Sequence, residues 1–264
     1  MERTDINGII FYRFEAIANE PDITHALFSR RGGVSQPPCA TLNLGHTVGD
    51  DLDAVTANHQ RALGVLGWSR DDVATCYQVH GARVGVVGLN DRGQVQPETD
   101  ALVTNTPGVG LMMRFADCVP VLFFDRQRCV VGLAHAGWRG VAAGVVQATV
   151  TAMFAAFGCQ PADVWAGIGP SIGPCCYEVG QEVLEQISAA VKGPAPFRCE
   201  DDRVHLDLWA AVRSQLEQAG VGQVEAAQLC TACRTDEWFS HRAERGRTGR
   251  HGVVIGLRAP SRMS

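Results

Sequence analysis

The feature of this sequence that most constrains its fold is a stretch from Gly140 to Ala162 without a single charged residue. A segment of this length is long enough to cross a bilayer as a helix. It also contains Gln147, Thr149, Thr151, three glycines and many alanines, so its net hydrophobicity is low. Its larger side chains recur at helical spacing, at Val141, Val145, Val146, Thr149, Met153, Phe154 and Phe157. We therefore interpret the stretch as a helix buried inside a globular protein.

Three further helices are predicted, at about Leu52 to Leu63, Gln181 to Val191 and Leu208 to Gln218. Asp51 or Asp53 is expected to cap the first of these helices, because a side-chain oxygen at that position accepts a free backbone N–H. Asp207 is expected to cap the third helix and Gly220 to end it.

Short apolar runs predict the strands: Ala26–Ser29, Val73–Val79, Val84–Val87, Val109–Phe115, Val121–Phe124, Cys129–Ala134, Val164–Ile168 and Val253–Leu257. Some of these runs are arranged as hairpins and others alternate with helices. This mixture predicts an α+β fold in which a mixed sheet is covered by helices. The sequence has no internal repeat and no long polar linker, so we expect a single domain over residues 1–264.

Composition limits the classes of partner. Apolar residues make up 46% of the chain, and 23 Lys and Arg against 28 Asp and Glu leave a net charge of -5. These values are typical of a soluble globular protein and argue against nucleic-acid and membrane partners. No apolar segment follows the charged start of the chain, so we expect a cytoplasmic protein whose ten cysteines are reduced.

Cys118 and His135 lie on two adjacent strand-like runs that are separated by Asp125 to Arg128. If Arg126 and Gln127 form a two-residue hairpin loop, Cys118 faces His135 directly, with Cβ atoms roughly 4.5–5.5 Å apart. Such a pair suits two ligands of one metal ion, or a thiol and its base. Arg-Gln lacks the glycine or asparagine that tight hairpin turns prefer, and a slip of one residue would separate the two side chains.

His80 ends another apolar run, in Gln78-Val79-His80-Gly81. A single histidine in such a place is more often a hydrogen-bonded structural residue than a ligand. If His80 meets Cys118 and His135, the three side chains match the nitrogen and sulfur ligands of a catalytic zinc site, with a fourth position open to water or substrate. The long intervals between them are ordinary for an enzyme site and too long for a finger-type site.

Glycine-rich turns supply candidate anion ligands. Ala136-Gly137-Trp138-Arg139-Gly140 leads from a strand into the apolar helix, so that Arg139 and free backbone N–H groups could bind an anion. The alternative is that the glycines only allow a tight turn. Arg30 and Asn43 lie in two further glycine-containing loops and are candidate substrate contacts.

The spacing of other cysteines suggests a second candidate metal site, which would compete with the one at His80, Cys118 and His135. Cys230 and Cys233 form a C-x-x-C pair, but no second pair follows at finger spacing. Cys175 and Cys176 are adjacent, and adjacent cysteines seldom share a metal ion. We therefore expect these cysteines to be core or loop residues.

The same residues carry a resemblance to a known family. The motifs, in the family's order, are SRRGGVS from Ser29, LNLG from Leu42, QVHG from Gln78, ADCVP from Ala116, HAGWRG from His135, GPSIGP from Gly169, and FSHR from Phe239 with TGR from Thr248. This set resembles the YfiH-type laccase-domain family, which is also called the polyphenol oxidase or purine nucleoside phosphorylase family. The resemblance extends from about Thr24 to Leu257.

The resemblance implies a single α+β domain and a zinc ion held by His80, Cys118 and His135. It also implies phosphorolysis of adenosine, inosine and methylthioadenosine, with deamination of adenosine as a side activity. Purine nucleosides and phosphate are then the partners, and the protein is a monomer or a small homo-oligomer. In this interpretation Arg30, Asn43 and Arg139 contact the substrate, while His80, Cys118, His135 and Arg139 form the catalytic group.

Three alternatives remain open. A four-copper laccase needs several His-x-His pairs, and the eight histidines form none, although copper in the His80/Cys118/His135 site would still give a copper-dependent polyphenol oxidase. A second alternative is a metal-free hydrolase, for example one that edits peptidoglycan precursors, in which His135 activates the Cys118 thiolate and a third member is unidentified. The third is a non-enzymatic zinc- or partner-binding protein, for which no fourth ligand is evident.

Overall fold

The computed structural model describes residues 1–200 and 202–259, which form two large mixed β-sheets, a small hairpin and six α-helices. The strands are β1 Glu2–Ile6, β2 Ile9–Arg13, β3 Ile23–Phe28, β4 Val73–Cys76, β5 Val84–Val86, β6 Val95–Gln96, β7 Ala101–Thr104, β8 Gly110–Phe115, β9 Val119–Asp125, β10 Val130–Ala136, β11 Val164–Ile168, β12 Phe197–Glu200, β13 Arg203–Leu206, β14 Gln223–Ala226 and β15 His251–Leu257. The helices are α1 Glu15–Ala18, α2 Leu52–Gly64, α3 Trp138–Ala142, α4 Val145–Phe157, α5 Gln181–Ala190 and α6 Leu208–Gln218.

The first sheet has the strand order β1-β2-β3-β15-β8-β4-β6 and the second has the order β14-β11-β9-β10-β7-β5. Most neighbours are antiparallel, but β4 is parallel to β6 and β8, and β11 and β7 each have one parallel partner. The predicted α+β class is therefore confirmed, with two large sheets where the sequence predicted one.

The two faces of β9 show how the layers are arranged, because successive side chains of a strand point to opposite faces. Leu122 and Phe124 belong to a core between the two sheets, while Val121 and Phe123 pack on the opposite face together with α4 and α6. A third core joins the outer face of the first sheet to Leu63 of α2. The result is four layers, with helices outside and the two sheets in the middle.

The apolar stretch does not form one helix. Gly144 adopts a left-handed conformation, with φ of 80°, and separates α3 from α4. The face of α4 that the spacing predicted is buried at Val145, Val146 and Met153, but Phe154 is exposed, so its assignment to the buried face was wrong. No helix in the two described ranges has the length and apolar character needed to cross a bilayer.

The predicted register of the β9–β10 hairpin was also wrong. Val130 pairs with Asp125, so four residues form the loop and His135 lies opposite Pro120 rather than Cys118. The loop is longer because Asp125 accepts the N–H of Arg128 and Cys129 takes a positive φ of 51°. A shift of two residues preserves the alternation of faces, so Cys118 still lies near His135, one residue before the strand begins.

Candidate functional site

Strand ends meet at one edge of the two packed sheets and bring three distant side chains together. Cys118 lies between β8 and β9, His135 is the sixth residue of β10, and His80 lies in the loop after β4 with a positive φ of 62°. One ligand atom from each residue lies within 4.8 Å of the other two. The Cys118 Sγ and His80 Nδ1 atoms are 4.0 Å apart, and the two imidazole rings are 4.8 Å apart at their centroids.

Asp100, which the sequence analysis did not identify, orients this group. It is fully buried immediately before β7, and its Oδ1 accepts the Nδ1–H of His135 at 2.8 Å and the backbone N–H of His80 at 2.9 Å. Its Oδ2 accepts the backbone N–H groups of Val79 and Gly81, at 3.1 and 2.8 Å. One carboxylate therefore holds the His80 loop and selects the His135 tautomer whose Nε2 is free to bind a metal ion.

The charges of Asp100, His135 and Cys118 support one another. Burial raises the pKa of the Asp100 carboxyl, but hydrogen bonds from His135 and from backbone amides outweigh that effect and lower it overall. Burial also raises the pKa of the Cys118 thiol, but His135 and His80 lower it to about 6. Burial lowers the pKa of His135, but the Cys118 thiolate and Asp100 raise it to about 9. These opposite shifts favour a thiolate–imidazolium pair in the metal-free group.

Gly137 leaves the space that the ligands occupy. A Cβ atom at this position would lie 2.9 Å from both the Cys118 Sγ and the His80 Nδ1 atoms. Real Cβ atoms essentially never approach other atoms this closely, so only glycine is compatible with the observed positions of these two side chains. The glycine of the His135–Gly140 motif is thus required by the site as well as by the turn.

The donor set fits a borderline-soft metal ion. Two imidazole nitrogens and one thiolate are ligands that zinc accepts at about 2.0–2.1 and 2.3 Å, which places ligand atoms about 3.4–3.7 Å apart in a tetrahedron. The Cys118 Sγ and His80 Nδ1 atoms, at 4.0 Å, are slightly farther apart than this, and all three ligand atoms lie within 4.8 Å of one another. Copper accepts the same ligands, so the geometry does not separate the two metals.

A cavity of about 840 Å³ opens over the three ligands. Its polar and aromatic lining includes His46, Arg70, Tyr77, Gln78, Arg114, Asp117, Trp138, Arg139, Tyr177, His241, Arg242 and Arg250, together with His80, Cys118 and His135. Asp117 is the only acidic residue among the described lining residues, and its two oxygens accept the Thr231 hydroxyl and the Arg242 backbone N–H at 2.7 and 2.6 Å.

Five of the lining residues are arginines, and none of them forms a salt bridge with a carboxylate in the part of the chain that the structure describes. Arg114 is partly buried, and its guanidinium donates to the Cys76 carbonyl at 2.7 Å. Burial lowers the pKa of this guanidinium. Guanidinium groups without acidic partners, gathered at one cavity of a net acidic chain, are able to bind an anion.

Arg139 lines this cavity, as the glycine-rich turn predicted for an anion ligand. It is exposed, and its guanidinium carbon lies 4.3 Å from the centre of the Trp138 ring. Arg139 is the second residue of α3, which has only five residues instead of the long helix that was expected at this place.

Arg30 and Asn43 lie outside the lining of the cavity. Arg30 donates to the carbonyls of Ala40 and Thr235 and pairs with Glu244 at 3.1 Å. Asn43 is fully buried, and its side-chain oxygen accepts the backbone N–H of Arg250 at 2.8 Å. In this structure both residues join loops, and Asn43 helps to position Arg250.

The sequence signal for Asp100 and for the additional arginines was weak. Asp100 contacts residues 19 to 35 positions away in the chain, and no motif marks it. Arg250 belongs to the TGR motif, but the sequence alone did not indicate that its side chain faces the same cavity as His80.

Comparisons with known proteins match most of the chain. A family model described as multi-copper polyphenol oxidoreductase laccase matches residues 24–258. The chain is 39% identical over 244 residues to purine nucleoside phosphorylase YlmD of Geobacillus stearothermophilus, covering 88% of this chain and 89% of that protein. It is 38% identical over 230 residues to purine nucleoside phosphorylase YfiH of Escherichia coli, covering 87% and 91%. The crystal structure of the Geobacillus YlmD matches with a TM-score of 0.91 and 36% identity, over 97% of this chain and 98% of that one.

Proposed function

We propose that this protein, which belongs to the YfiH-type laccase-domain family, is a purine nucleoside phosphorylase that depends on a metal ion at His80, Cys118 and His135. The proposed substrates are adenosine, inosine and methylthioadenosine, and deamination of adenosine is the proposed side activity. The names of the two related phosphorylases support the reaction class.

The observation that carries the proposal is the group of five arginines without carboxylate partners beside the His80/Cys118/His135 group. In phosphorolysis a phosphate oxygen forms a bond to C1′ of the ribose, and the bond from C1′ to the purine nitrogen breaks with its electron pair. The products are ribose 1-phosphate and the free base. A monoanionic or dianionic phosphate must be held against a neutral sugar, and guanidinium groups provide both the charge and the fixed hydrogen-bond geometry.

Some residues of the cavity bind the two substrates, and Asp100 positions the metal ligands. Arg139, Arg114 and Arg250 bind and orient the phosphate, while the aromatic side chains of Tyr177 and Trp138 provide planar surfaces for the nucleoside. Asp100 holds His135 in one tautomer and keeps the His80 loop in place. Zinc, when bound by the two imidazoles and the thiolate, would supply a Lewis acid at the bottom of the cavity.

The test is phosphate-dependent release of hypoxanthine from inosine by the untagged protein, measured together with its zinc content. Cys118→Ala should lose phosphorolysis and the zinc ion of this site. Cys199→Ser, which changes an exposed cysteine outside the cavity lining, should retain both. Parental activity in a folded Cys118→Ala protein would refute the proposed site.

A metal-free thiol hydrolase is the second candidate, because the structure provides the third member that this hypothesis lacked. Asp100 accepts the Nδ1–H of His135, and His135 lies beside Cys118 in the order expected of a Cys–His–Asp triad. The two candidates differ in their metal requirement. About one zinc ion at this site in the active protein would exclude the thiol nucleophile, because a metal-bound thiolate is not free to attack.

A multicopper oxidase receives less support. Of the eight histidines, His25 and His59 are buried and hydrogen bonded to the backbone of Phe14 and Leu44. Among the described residues, the one group of possible metal ligands that contains histidine has only two of them. A single copper ion in that group remains compatible with its donors, and metal analysis separates it from zinc.

A further inference from the structure

Four cysteines converge at a second place, away from His80 and His135. Cys175 and Cys176 lie in the loop after β11, and Cys230 and Cys233 lie in the loop after β14. Their sulfur atoms all lie within 4.8 Å of one another. The Cys233 sulfur is 3.5 Å from that of Cys175 and 3.4 Å from that of Cys176. The C-x-x-C pair therefore has a partner pair, 57 or 58 positions away in sequence, which its spacing did not reveal.

The two sulfur separations at Cys233, 3.5 and 3.4 Å, are close to those of a tetrathiolate ion site. Four thiolates at about 2.3 Å from a tetrahedral zinc ion have sulfur atoms about 3.8 Å apart. A disulfide would require a separation of about 2.05 Å, and all four cysteines are free. The sulfur atoms are thus too far apart to be bonded and close enough to share one ion.

The local backbone explains how two adjacent cysteines can point to one centre. The N–H groups of Cys176 and Tyr177 both donate to the Gly173 carbonyl, at 3.0 and 3.1 Å, so residues 173–177 form a tight turn. This turn departs from the extended geometry in which neighbouring side chains point in opposite directions. Gly173 also donates its own N–H to the Cys230 sulfur at 3.2 Å, which is the kind of contact that stabilises a metal-bound thiolate.

The surroundings of Cys175, Cys176 and Cys230 shift the pKa values of their thiols. Burial raises the pKa of the Cys230 thiol, but backbone N–H groups of Gly173 and Cys233 outweigh this effect and lower it. For Cys175 and Cys176, burial and the neighbouring Cys233 thiol raise the pKa, in the case of Cys175 to about 11.

The two loops also form part of the cavity wall. The first loop contributes Ile172 and Tyr177 to the cavity, and the chain that follows the second loop contributes Arg242. The Arg242 guanidinium carbon lies 5.1 Å from the centre of the Tyr177 ring. The loops are joined near the cysteines by a bridge between Ser171 and Cys230. A metal ion at the cysteines would fix the relative positions of these wall residues.

We propose that Cys175, Cys176, Cys230 and Cys233 form a second, structural metal site that binds one tetrahedral Zn²⁺ through four thiolates. The site joins the 171–177 and 229–234 loops and thereby holds Tyr177 and Arg242 at the cavity. Its ligands share no residue with the His80/Cys118/His135 group, so the two sites can be emptied separately.

The test is zinc stoichiometry of the untagged full chain purified with a reductant, by elemental analysis against protein sulfur. We expect about two zinc ions per chain in the parent and about one in Cys118→Ala. Cys175→Ser/Cys233→Ser should also bind about one, whereas the control Cys199→Ser should bind about two. X-ray absorption at the zinc edge of Cys118→Ala should show a first shell of sulfur alone, at about 2.3 Å.

The Cys118→Ala measurement does not depend on whether the double variant folds. Zinc-free Cys118→Ala protein, or residual zinc coordinated by nitrogen or oxygen, would overturn the proposal. So would an intact mass, after purification without reductant, showing that Cys233 is disulfide-bonded to Cys175 or Cys176 in protein that retains full activity. Failure of the proposed phosphorolysis with the sulfur-only zinc shell present would leave the second site established and refute the first function alone.

Discussion

Replacing Asp100 by asparagine should lower the metal affinity of the His80/Cys118/His135 group without replacing any of its three ligands. The side chain has nearly the same shape, but one of its two terminal atoms becomes a donor. In the parent, each carboxylate oxygen accepts two N–H groups: those of His135 and His80 on one side, and those of Val79 and Gly81 on the other. Whichever way the amide turns, its NH₂ group meets two donors, and two hydrogen bonds are lost.

The magnitude follows from those two bonds. A hydrogen bond to a charged group contributes about 1.5–3 kcal/mol, so the loss of two in a fully buried position should reduce the free energy of unfolding by about 3–6 kcal/mol. If the amide keeps its oxygen towards His135, the histidine stays oriented but loses the carboxylate charge. Removal of such an orienting partner weakens metal affinity about 10- to 100-fold, or about 1.4–2.7 kcal/mol.

Two measurements check this expectation. Urea denaturation of the metal-free protein gives the change in unfolding free energy, and competition with a chromogenic chelator gives the change in zinc affinity. Asp91→Asn is a suitable control, because Asp91 also accepts a backbone N–H, that of Gly88 at 2.9 Å, but lies outside the cavity lining. An Asp100→Asn protein with parental zinc affinity and parental stability would show that the carboxylate does not organise the site.

Three further outcomes are expected. Gly137→Ala should displace the Cys118 and His80 side chains and lower zinc affinity at least about 10-fold. The control Gly81→Ala should bind zinc like the parent, because its added Cβ would meet its nearest atom at an ordinary 3.6 Å. Equal zinc affinities in the two variants would contradict the steric argument. Arg139→Ala should raise the KM for phosphate about 10-fold in steady-state assays while leaving zinc content unchanged, and an unchanged KM would remove Arg139 from the anion site. The free energy of unfolding should fall as pH falls below 6.5, because burial lowers the pKa of three histidines to about 3 in the folded protein, so that the unfolded chain binds more protons between pH 6.5 and pH 3. In urea titrations the slope should reach about 4 kcal/mol per pH unit. A flat profile from pH 6 to 4 would refute this expectation. These histidines are His25, His59 and His251.

Local sequence patterns correctly predicted those helix ends that depend on residues close by in the chain. Asp51 and Asp207 cap their helices as expected, because an N-cap aspartate bonds an N–H only two or three residues away. The β9–β10 register failed for a related reason. Whether a loop has two residues or four depends on the conformations of Asp125 and Cys129, and the residue types of the turn carry little information about these.

The sequence by itself determined the α+β class, the bounds of α2, α5 and α6 to within about one residue and, through its motifs, the candidate ligands His80, Cys118 and His135. Only the tertiary structure revealed Asp100 behind them, the arginines around the cavity and the meeting of two cysteine pairs. The physical reason is that these groups form where strand ends and loops from distant parts of the chain come together. Burial and hydrogen bonding at such a place depend on how the two sheets pack, and no residue spacing along the chain specifies it.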